Sequence, residues 1–284
     1  MAPAGGFAVL AESVTGAHGS SRSSSRQRSR EADLALAGGY PPSVRGKPPE
    51  RVAAVIPAKD EAARIAATVQ AASRIAHVDL VIVVDDGSSD ATADLARAAG
   101  ATVIRHPRNR GKASAMESGA AEVERQDSET SGDLPRALLF IDADLEESAL
   151  QTAALAAPVL SGEADLTVAV LPPQRESGGG HGFVVRLARN GIRKATGFVA
   201  AQPLSGMRCI TREAFEAARP LAHGWGVEVG LTIDVLRGGY RLVEVPCELH
   251  HRVTGRDLRS QLHRAAQYRD VARALAARRI RARH

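Results

Sequence analysis

Two carboxylates spaced two residues apart, Asp142 and Asp144, follow an apolar run that begins at Ala137. Alternate side chains of an extended strand share a face, so both carboxylates would emerge together where this run ends. Two hard oxygen donors suit a divalent cation that keeps part of its water shell and bridges to a substrate phosphate. Acidic pairs also end many strands as solvated turns, so the spacing alone leaves both interpretations open.

Polar residues follow three other apolar runs in the same way. They occupy residues 57–61, 85–90 and 105–112. Parallel strands of a doubly wound sheet bring their carboxyl ends to one crevice, where such folds bind ligands. We therefore expect all four segments to form one site, and this convergence is more specific than any single motif.

Two groups in these segments suit a nucleotide. Residues 85–90 are typical of a glycine turn and a helix cap, which leaves the adjacent carboxylates of Asp85 and Asp86 unexplained. A carboxylate such as that of Asp86 can accept the imide N–H of a uracil. Lys112 follows Gly111 at a predicted helix start, where an ammonium and backbone N–H groups suit a diphosphate. A solvated surface lysine is the alternative, but the chain has only four Lys against 33 Arg.

The pattern of apolar residues predicts which elements hold these groups. Strands alternating with helices indicate parallel β–α–β units and the α/β class. The predicted strands are 52–56, 80–84, 101–104, 137–142, 165–170, 207–210 and 241–246. The predicted helices are 61–73, 90–99, 111–124, 183–194, 227–236 and 257–280. Residues 172–182 are predicted to be a glycine-rich loop, either a lid or an ordinary surface loop.

Composition excludes several classes of protein. The net charge of +5 comes from residues 252–284, which hold ten Arg against two Asp, so the chain does not show the pattern of a nucleic-acid-binding domain. Cys209 and Cys247 are too few for a disulfide framework and lack zinc-site spacing. No apolar run approaches the roughly 18–20 residues of a membrane span, and no secretory signal pattern is found. We expect a cytoplasmic protein.

Three segments are predicted along the 284 residues. Residues 1–49 are a low-complexity tail rich in Ser, Arg and Pro, which cannot bury enough apolar area to fold. Residues 50–255 form one domain, and residues 256–284 form a basic helix. We expect this helix to pack on the domain or to mediate a homodimer. Peripheral contact with an anionic membrane surface is the alternative.

The ordered motifs resemble a known family. Residues 57–61, 85–90, 111–112 and 142–144 together look like the nucleotide-sugar half of family 2 glycosyltransferases. The resemblance implies the GT-A fold, a Rossmann-like and mostly parallel sheet flanked by helices in a single domain. Residues 50–145 would be the nucleotide-sugar half and 146–255 the acceptor half. It also implies a UDP- or GDP-linked sugar held by Mg²⁺ or Mn²⁺, with a nucleotide-sugar site formed by Pro57, Ala58, Glu61, Asp86, Lys112 and Asp142, and with Asp144 on the metal.

The second half is similar to the glucosyl-3-phosphoglycerate synthases. The similarity lies in residues 203–206, 224–234 and 245–252, and it implies that His251, or less readily His250, is a third metal ligand. Two exposed histidines in a basic loop are the alternative. Glu228 would orient the sugar or acceptor or serve as a base, although a carboxylate at a helix start also complements the helix dipole. We expect Ser205 and Gly206 to offer backbone N–H and C=O groups beside the sugar, and Arg208 to contact an anionic acceptor.

These features predict a metal-dependent glycosyltransferase with a nucleotide-sugar donor. The acceptor is a small molecule or a polyprenyl phosphate and stays unidentified, because the basic residues expected of a phosphoglycerate pocket are not evident around His251. One alternative is a nucleotidyltransferase, although residues 57–61 lack the glycine-rich loop it needs. The other is a non-catalytic nucleotide-binding protein. The sequence leaves the stereochemistry of transfer open.

Overall fold

A seven-stranded sheet forms the centre of the described structure. The computed structural model describes residues 46–129, 134–171, 181–248 and 258–281. The strands are β1 Val52–Ala58, β2 Val78–Asp85, β3 Thr102–Arg105, β4 Ala137–Phe140, β5 Leu166–Val170, β6 Arg208–Ile210 and β7 Leu242–Pro246. Their spatial order is β3-β2-β1-β4-β6-β5-β7. Only β6 runs antiparallel to its neighbours, which confirms the predicted mostly parallel sheet.

Helices cover both faces of this sheet. They are α1 Ile65–Ala72, α2 Thr92–Ala98, α3 Lys112–Ser128, α4 Ala153–Leu160, α5 His181–Thr196, α6 Arg212–Ala217, α7 Val227–Arg237 and α8 Leu258–Arg281. Short 3₁₀ helices span Glu146–Thr152 and Gly224–Gly226. Side chains of β1 alternate between two core clusters, with Ala54 and Ile56 in one and Ala53 and Val55 in the other. Strands of α/β sheets are typically buried on both faces. The sequence of β1 is therefore a continuous apolar run and does not alternate between apolar and polar residues.

Two predicted strand ends are wrong. Pro57 does not end β1, which continues to Ala58 and pairs Pro57 with Val84. The neighbouring strand β4 pairs with β1 only as far as Val55, so the N–H that proline lacks is not needed by that neighbour. The fourth strand ends at Phe140 rather than at Asp142. The two carboxylates therefore lie in the turn that follows the strand, and they do not share a face of an extended chain.

The other predicted strands and helices are present, with ends that move by up to four residues. Two helices were missed. Helix α4 is rich in alanine and contains Pro158, which interrupts a helical pattern in the sequence. Helix α6 has only six residues, and the Thr211 hydroxyl caps it by accepting from the N–H of Ala214. Such a short helix depends on its cap and on tertiary contacts more than on periodicity.

The C-terminal helix α8 packs on the domain, which was one of the roles predicted for it. Val271 and Leu275 are buried, and the guanidinium of Arg278 forms an ion pair with the carboxylate of Asp234 in α7. No helix in the described part of the chain is both long and apolar enough to cross a membrane.

Candidate functional site

Three charged side chains meet at the carboxyl ends of the parallel strands. Nζ of Lys112 lies 2.7 Å from Oδ1 of Asp142 and 3.4 Å from Oε1 of Glu228. Lys112 begins α3, Asp142 follows β4, and Glu228 lies in the first turn of α7. The predicted convergence of Lys112 and Asp142 is therefore found in the structure, and Glu228 joins them from the second half of the chain.

This cluster keeps its lysine charged. Burial alone would lower the pKa of Lys112, but the negative charges of Asp142 and Glu228 outweigh it and raise that pKa above its ordinary value. The side chain of Glu228 is 8% exposed, whereas those of Lys112 and Asp142 are each 28% exposed. A ligand can therefore contact the Lys112 ammonium and the Asp142 carboxylate directly, whereas the Glu228 carboxylate is more deeply buried.

The antiparallel strand β6 places a glycine against the Lys112–Asp142 pair. Arg208 is the register partner of Phe140, so Gly206, two residues before it, lies opposite Asp142, two residues after Phe140. A Cβ atom at Gly206 would touch Nζ of Lys112 and lie 2.8 Å from Oδ1 of Asp142. Both atoms are the ends of flexible side chains, so a side chain at position 206 would displace the Lys112–Asp142 pair.

Arg208 connects the segment that contains Gly206 to helix α7. Its Nε donates to the carbonyl of Ser205 and its Nη1 to Oγ1 of Thr232, each at 2.9 Å. The Thr232 hydroxyl in turn donates to the carbonyl of Glu228. Burial lowers the pKa of Arg208 to about 10, although the charges of Glu228 and Glu244 oppose this. Arg208 is 1% exposed, so it holds residues 205–206 against α7, and its predicted contact with an anionic acceptor stays a prediction.

The backbone of Ser205 is also engaged. Its carbonyl accepts from Arg208 and its N–H donates to the carbonyl of Gln202 at 3.2 Å. Its buried hydroxyl oxygen has no hydrogen-bond partner among the described residues. Gly206 lies against the Lys112–Asp142 pair, and the predicted contacts of Ser205 and Gly206 with a sugar stay predictions.

Asp86 organises the loop before Lys112. Its Oδ1 accepts from the N–H of Arg110 at 2.8 Å and lies 2.7 Å from Nδ1 of His106. Its Oδ2 accepts from the N–H of Gly111 at 2.7 Å. Burial alone would raise the pKa of Asp86, but these hydrogen bonds lower it below its ordinary value. The carboxylate fixes the start of α3, and its predicted contact with a nucleoside stays a prediction.

His106 is a site residue that the sequence did not reveal. Its ring is 4% exposed and joins Asp86 to the hydroxyl of Ser118, with Nε2 2.9 Å from that oxygen. A histidine twelve residues before a serine has no signature in the sequence, because the contact depends on how residues 106–111 fold back onto α3. A cavity of about 350 Å³ borders His106 and Gly87 at the ends of β2 and β3.

The segment after β1 is bound to the segment after β2. The N–H of Asp60 donates to the hydroxyl of Ser88, and the N–H of Ser89 donates to Oδ1 of Asp60. Pro57 and Ala58 end β1 beside them. Glu61 accepts from Arg64 at 2.6 Å. The structure thus brings residues 57–61 and 85–90 together, as predicted.

The residues predicted to hold a metal are only partly described. Asp144 is half-buried. The pKa of Arg64 is raised mainly by its hydrogen bond and ion pair with Glu61, and the negative charge of Asp144 makes a smaller contribution. The carboxylates of Asp142 and Asp144 are oxygen donors of the kind that Mg²⁺ and Mn²⁺ prefer, so the donor set fits such a cation. Among residues 46–129, 134–171, 181–248 and 258–281, no three His, Cys, Asp or Glu side chains are grouped to hold a metal. The predicted ligands His251 and His250 lie outside these residues.

The comparisons with known proteins agree with this geometry. The family model for glycosyl transferase family 2 matches residues 53–206, more than half of the chain. The chain is a member of glycosyl transferase family 2. This confirms the resemblance drawn from the strand-end motifs, and with it the fold.

Two curated relatives illustrate the range of the family. The glucosyl-3-phosphoglycerate synthase of Mycobacterium tuberculosis is 32% identical over 203 residues, which cover 64% of this chain and 60% of that protein. The glycosyltransferase AglJ of Haloferax volcanii is 28% identical over 184 residues, covering 62% and 56%. The chain therefore spans about 60% of the length of the curated relatives it matches.

Solved structures of the mycobacterial synthase share the fold. Its complex with Mg²⁺ and UDP is 31% identical and superposes with a TM-score of 0.64, covering 81% of this chain and 79% of that one. Its complex with Mn²⁺, UDP-glucose and phosphoglyceric acid gives the same TM-score and identity. The predicted similarity to the glucosyl-3-phosphoglycerate synthases is confirmed.

Proposed function

We propose that this chain transfers a hexose from a UDP-hexose to a small anionic acceptor in a metal-dependent reaction. The observation that carries the proposal is the cluster of Lys112, Asp142 and Glu228 against Gly206, at the carboxyl ends of the strands of a family 2 domain. UDP is chosen over GDP because the mycobacterial synthase is solved with UDP and UDP-glucose.

Lys112 binds the diphosphate in this proposal. Its ammonium is charged and partly exposed, and the N–H groups at the start of α3 add a favourable field for an anion. As the bond to the sugar breaks, negative charge grows on the departing UDP, and a fixed cation stabilises that charge. Asp86 and His106 contribute by holding the loop that ends at Gly111.

Asp142 and Asp144, with the predicted ligand His251, would hold Mg²⁺ or Mn²⁺. The bound cation supplies Lewis-acid stabilisation of the diphosphate, as in other metal-assisted transfers. Asp142 is also paired with Lys112, so the residues that would hold the cation adjoin the ammonium that would bind the diphosphate.

Glu228 orients the sugar. Its buried carboxylate is an acceptor for sugar hydroxyl groups, and Arg208 and Thr232 fix the helix turn that carries it. Holding the sugar and the acceptor oxygen in line supplies the proximity contribution to catalysis. The acceptor class follows the phosphoglyceric acid bound in the mycobacterial synthase, and a polyprenyl phosphate is the second candidate. The cytoplasmic location, the homodimer, the membrane contact and the absence of nucleic-acid binding stay predictions.

Calorimetric titration of the full chain tests the donor site. We expect UDP and UDP-glucose to bind with Mn²⁺ and at least tenfold more weakly after chelation by EDTA. GDP should bind more weakly than UDP. Asp144→Ala should abolish the effect of Mn²⁺, whereas Asp94→Ala, a matched change at a side chain that is 79% exposed, should not. Equal UDP affinity with and without the metal would contradict the proposal.

A further inference from the structure

The C-terminal helix α8 forms part of the cavity beside Lys112 and Glu228. The cavity has a volume of about 190 Å³, and Gln267 and Val271 of α8 line it together with those two residues. This volume is below the roughly 300–1,000 Å³ typical of sites for whole drug-sized ligands, so it suits one part of a substrate, such as a single sugar ring.

The helix is held firmly in this position. Val271 and Leu275 belong to a core cluster shared by α5, α7 and α8. The buried Arg278 forms an ion pair with Asp234, and its Nε lies 3.2 Å from the carbonyl of Gly230. A buried side chain that makes such contacts in α7, the helix that carries Glu228, fixes α8 relative to that carboxylate.

Two glycines allow a close approach just before Glu228. A Cβ atom at Gly226 would lie 2.6 Å from Cβ of Ala274, and one at Gly224 would collide with the carboxylate of Asp270. The N–H of Trp225 donates to the same carboxylate at 3.4 Å. The segment that leads into α7 therefore lies directly on one face of α8.

Gln267 extends this face into the cavity. Residues three and four positions apart are neighbours on a helix, so Gln267 lies above Asp270 and Val271. The side chain is partly buried and lines the cavity. An amide has two donors and an acceptor, which complement the acceptor oxygens of Glu228 across the cavity.

We propose that Gln267 hydrogen-bonds hydroxyl groups of the donor sugar, which makes α8 part of the sugar site. This inference rests on the proposed function, because it takes the cavity to be the place of the transferred hexose. Glu228 accepts from sugar hydroxyls, Gln267 donates to and accepts from others, and the apolar Val271 and Leu204 face the carbon skeleton. The sugar is thus recognised by Glu228 of α7 and by Gln267 of α8. Lys112 binds the diphosphate, and Gln267 does not contact it.

The test compares affinity for UDP with affinity for UDP-glucose, both in the presence of Mn²⁺. Calorimetric titration of the full chain gives the ratio of the two dissociation constants for wild type, Gln267→Ala and Gln267→Met. The methionine variant keeps the volume of the side chain and removes its hydrogen bonds. Gln70→Ala and Gln70→Met are matched controls at an exposed position of α1. Thermal unfolding of each variant checks that the fold is kept.

We expect both Gln267 variants to bind UDP as wild type does and to bind UDP-glucose about fivefold to tenfold more weakly, the loss expected for one or two neutral hydrogen bonds. The Gln70 variants should leave both affinities unchanged. The inference is overturned if wild type binds both ligands and the Gln267 variants bind UDP-glucose equally well, or if they lose UDP and UDP-glucose in parallel. Failure of wild type to bind UDP with Mn²⁺ would instead remove the proposed function itself.

Discussion

Nζ of Lys112 lies 2.7 Å from Oδ1 of Asp142, although 30 residues separate them in the chain. Lys112 follows β3 and Asp142 follows β4, and the two side chains meet because β3, β2, β1 and β4 run parallel and end at one edge of the sheet. In the proposed reaction, Lys112 would bind the diphosphate and Asp142 would help to hold the divalent cation.

Removing the ammonium should weaken diphosphate binding. Lys112→Met should lower the affinity for UDP by about tenfold to a hundredfold, because a hydrogen bond to a charged group contributes about 1.5–3 kcal/mol. Calorimetric titration measures this. Lys194→Met, at an exposed position of α5, is the matched control and should bind UDP normally.

The raised pKa of Lys112 has a consequence for pH dependence. Because Asp142 and Glu228 raise this pKa above its usual 10.5, the ammonium stays protonated well beyond neutral pH. UDP affinity should therefore not fall between about pH 7.5 and 9.5 through loss of this charge. A decline over that range in wild type that is missing in Lys112→Met would show that the lysine titrates there and would contradict the account.

A methyl group at Gly206 should displace the charged pair. Gly206→Ala places a carbon against Nζ of Lys112 and 2.8 Å from Oδ1 of Asp142, so one of these groups must move. We expect UDP affinity to fall at least fivefold because the pair is displaced, with little loss of stability because both displaced atoms are the ends of flexible side chains. Gly46→Ala is the control, since a Cβ there meets open space. Unchanged UDP binding by Gly206→Ala would show that the close contact is not part of the site.

The loop before α3 should lose stability when Asp86 is replaced. Asp86→Asn presents an N–H₂ group where the carboxylate accepts from backbone N–H groups, so we expect a loss of about 1–3 kcal/mol in the free energy of unfolding at pH 7. The pKa of Asp86 is lowered below its usual 3.8, so this stabilisation is present above about pH 4 and disappears as the pH falls through the folded-state pKa. Urea unfolding at several pH values measures the difference, which Asp94→Asn should not reproduce.

Both cysteines should be unreactive in the folded chain. Cys209 and Cys247 are 0% and 4% exposed, and burial raises their pKa values to about 12 and about 11. The thiolate is the reactive form, so a disulfide reagent at pH 8 should modify neither thiol within minutes. Both should react at once in urea. Rapid reaction of Cys209 under native conditions would show that β6, which positions Gly206, opens readily.

The sequence predicts well that the strand-end segments of the first half meet, because the signals for these strands are local. Each of the first four strands is an apolar run followed by polar residues, and parallel topology then brings Lys112 and Asp142 together. The position of the carboxylates relative to the end of β4 was wrong by two residues, since pairing with β1 ends at Phe140 and no local signal marks that point.

The second half depends on contacts between distant residues. Glu228 reaches Lys112, and Gly206 reaches Asp142, only because β6 inserts antiparallel between β4 and β5. The hydrogen bonds of Asp86 depend on how residues 106–111 fold, which a helix-cap pattern does not specify. The basic composition of α8 predicts a solvated face, but the glycines at 224 and 226 that let it approach the cavity are revealed only by the packing.

Release of UDP from UDP-glucose, measured with Mn²⁺ and with 3-phosphoglycerate or a polyprenyl phosphate as acceptor, tests the central claim most directly. The account predicts release that requires both the metal and an acceptor, and that falls at least a hundredfold in Lys112→Met and in Asp144→Ala but not in Lys194→Met or Asp94→Ala. Glycosyl transfer that proceeds at the wild-type rate in Lys112→Met or Asp144→Ala, or UDP binding without any transfer to either acceptor, would contradict it.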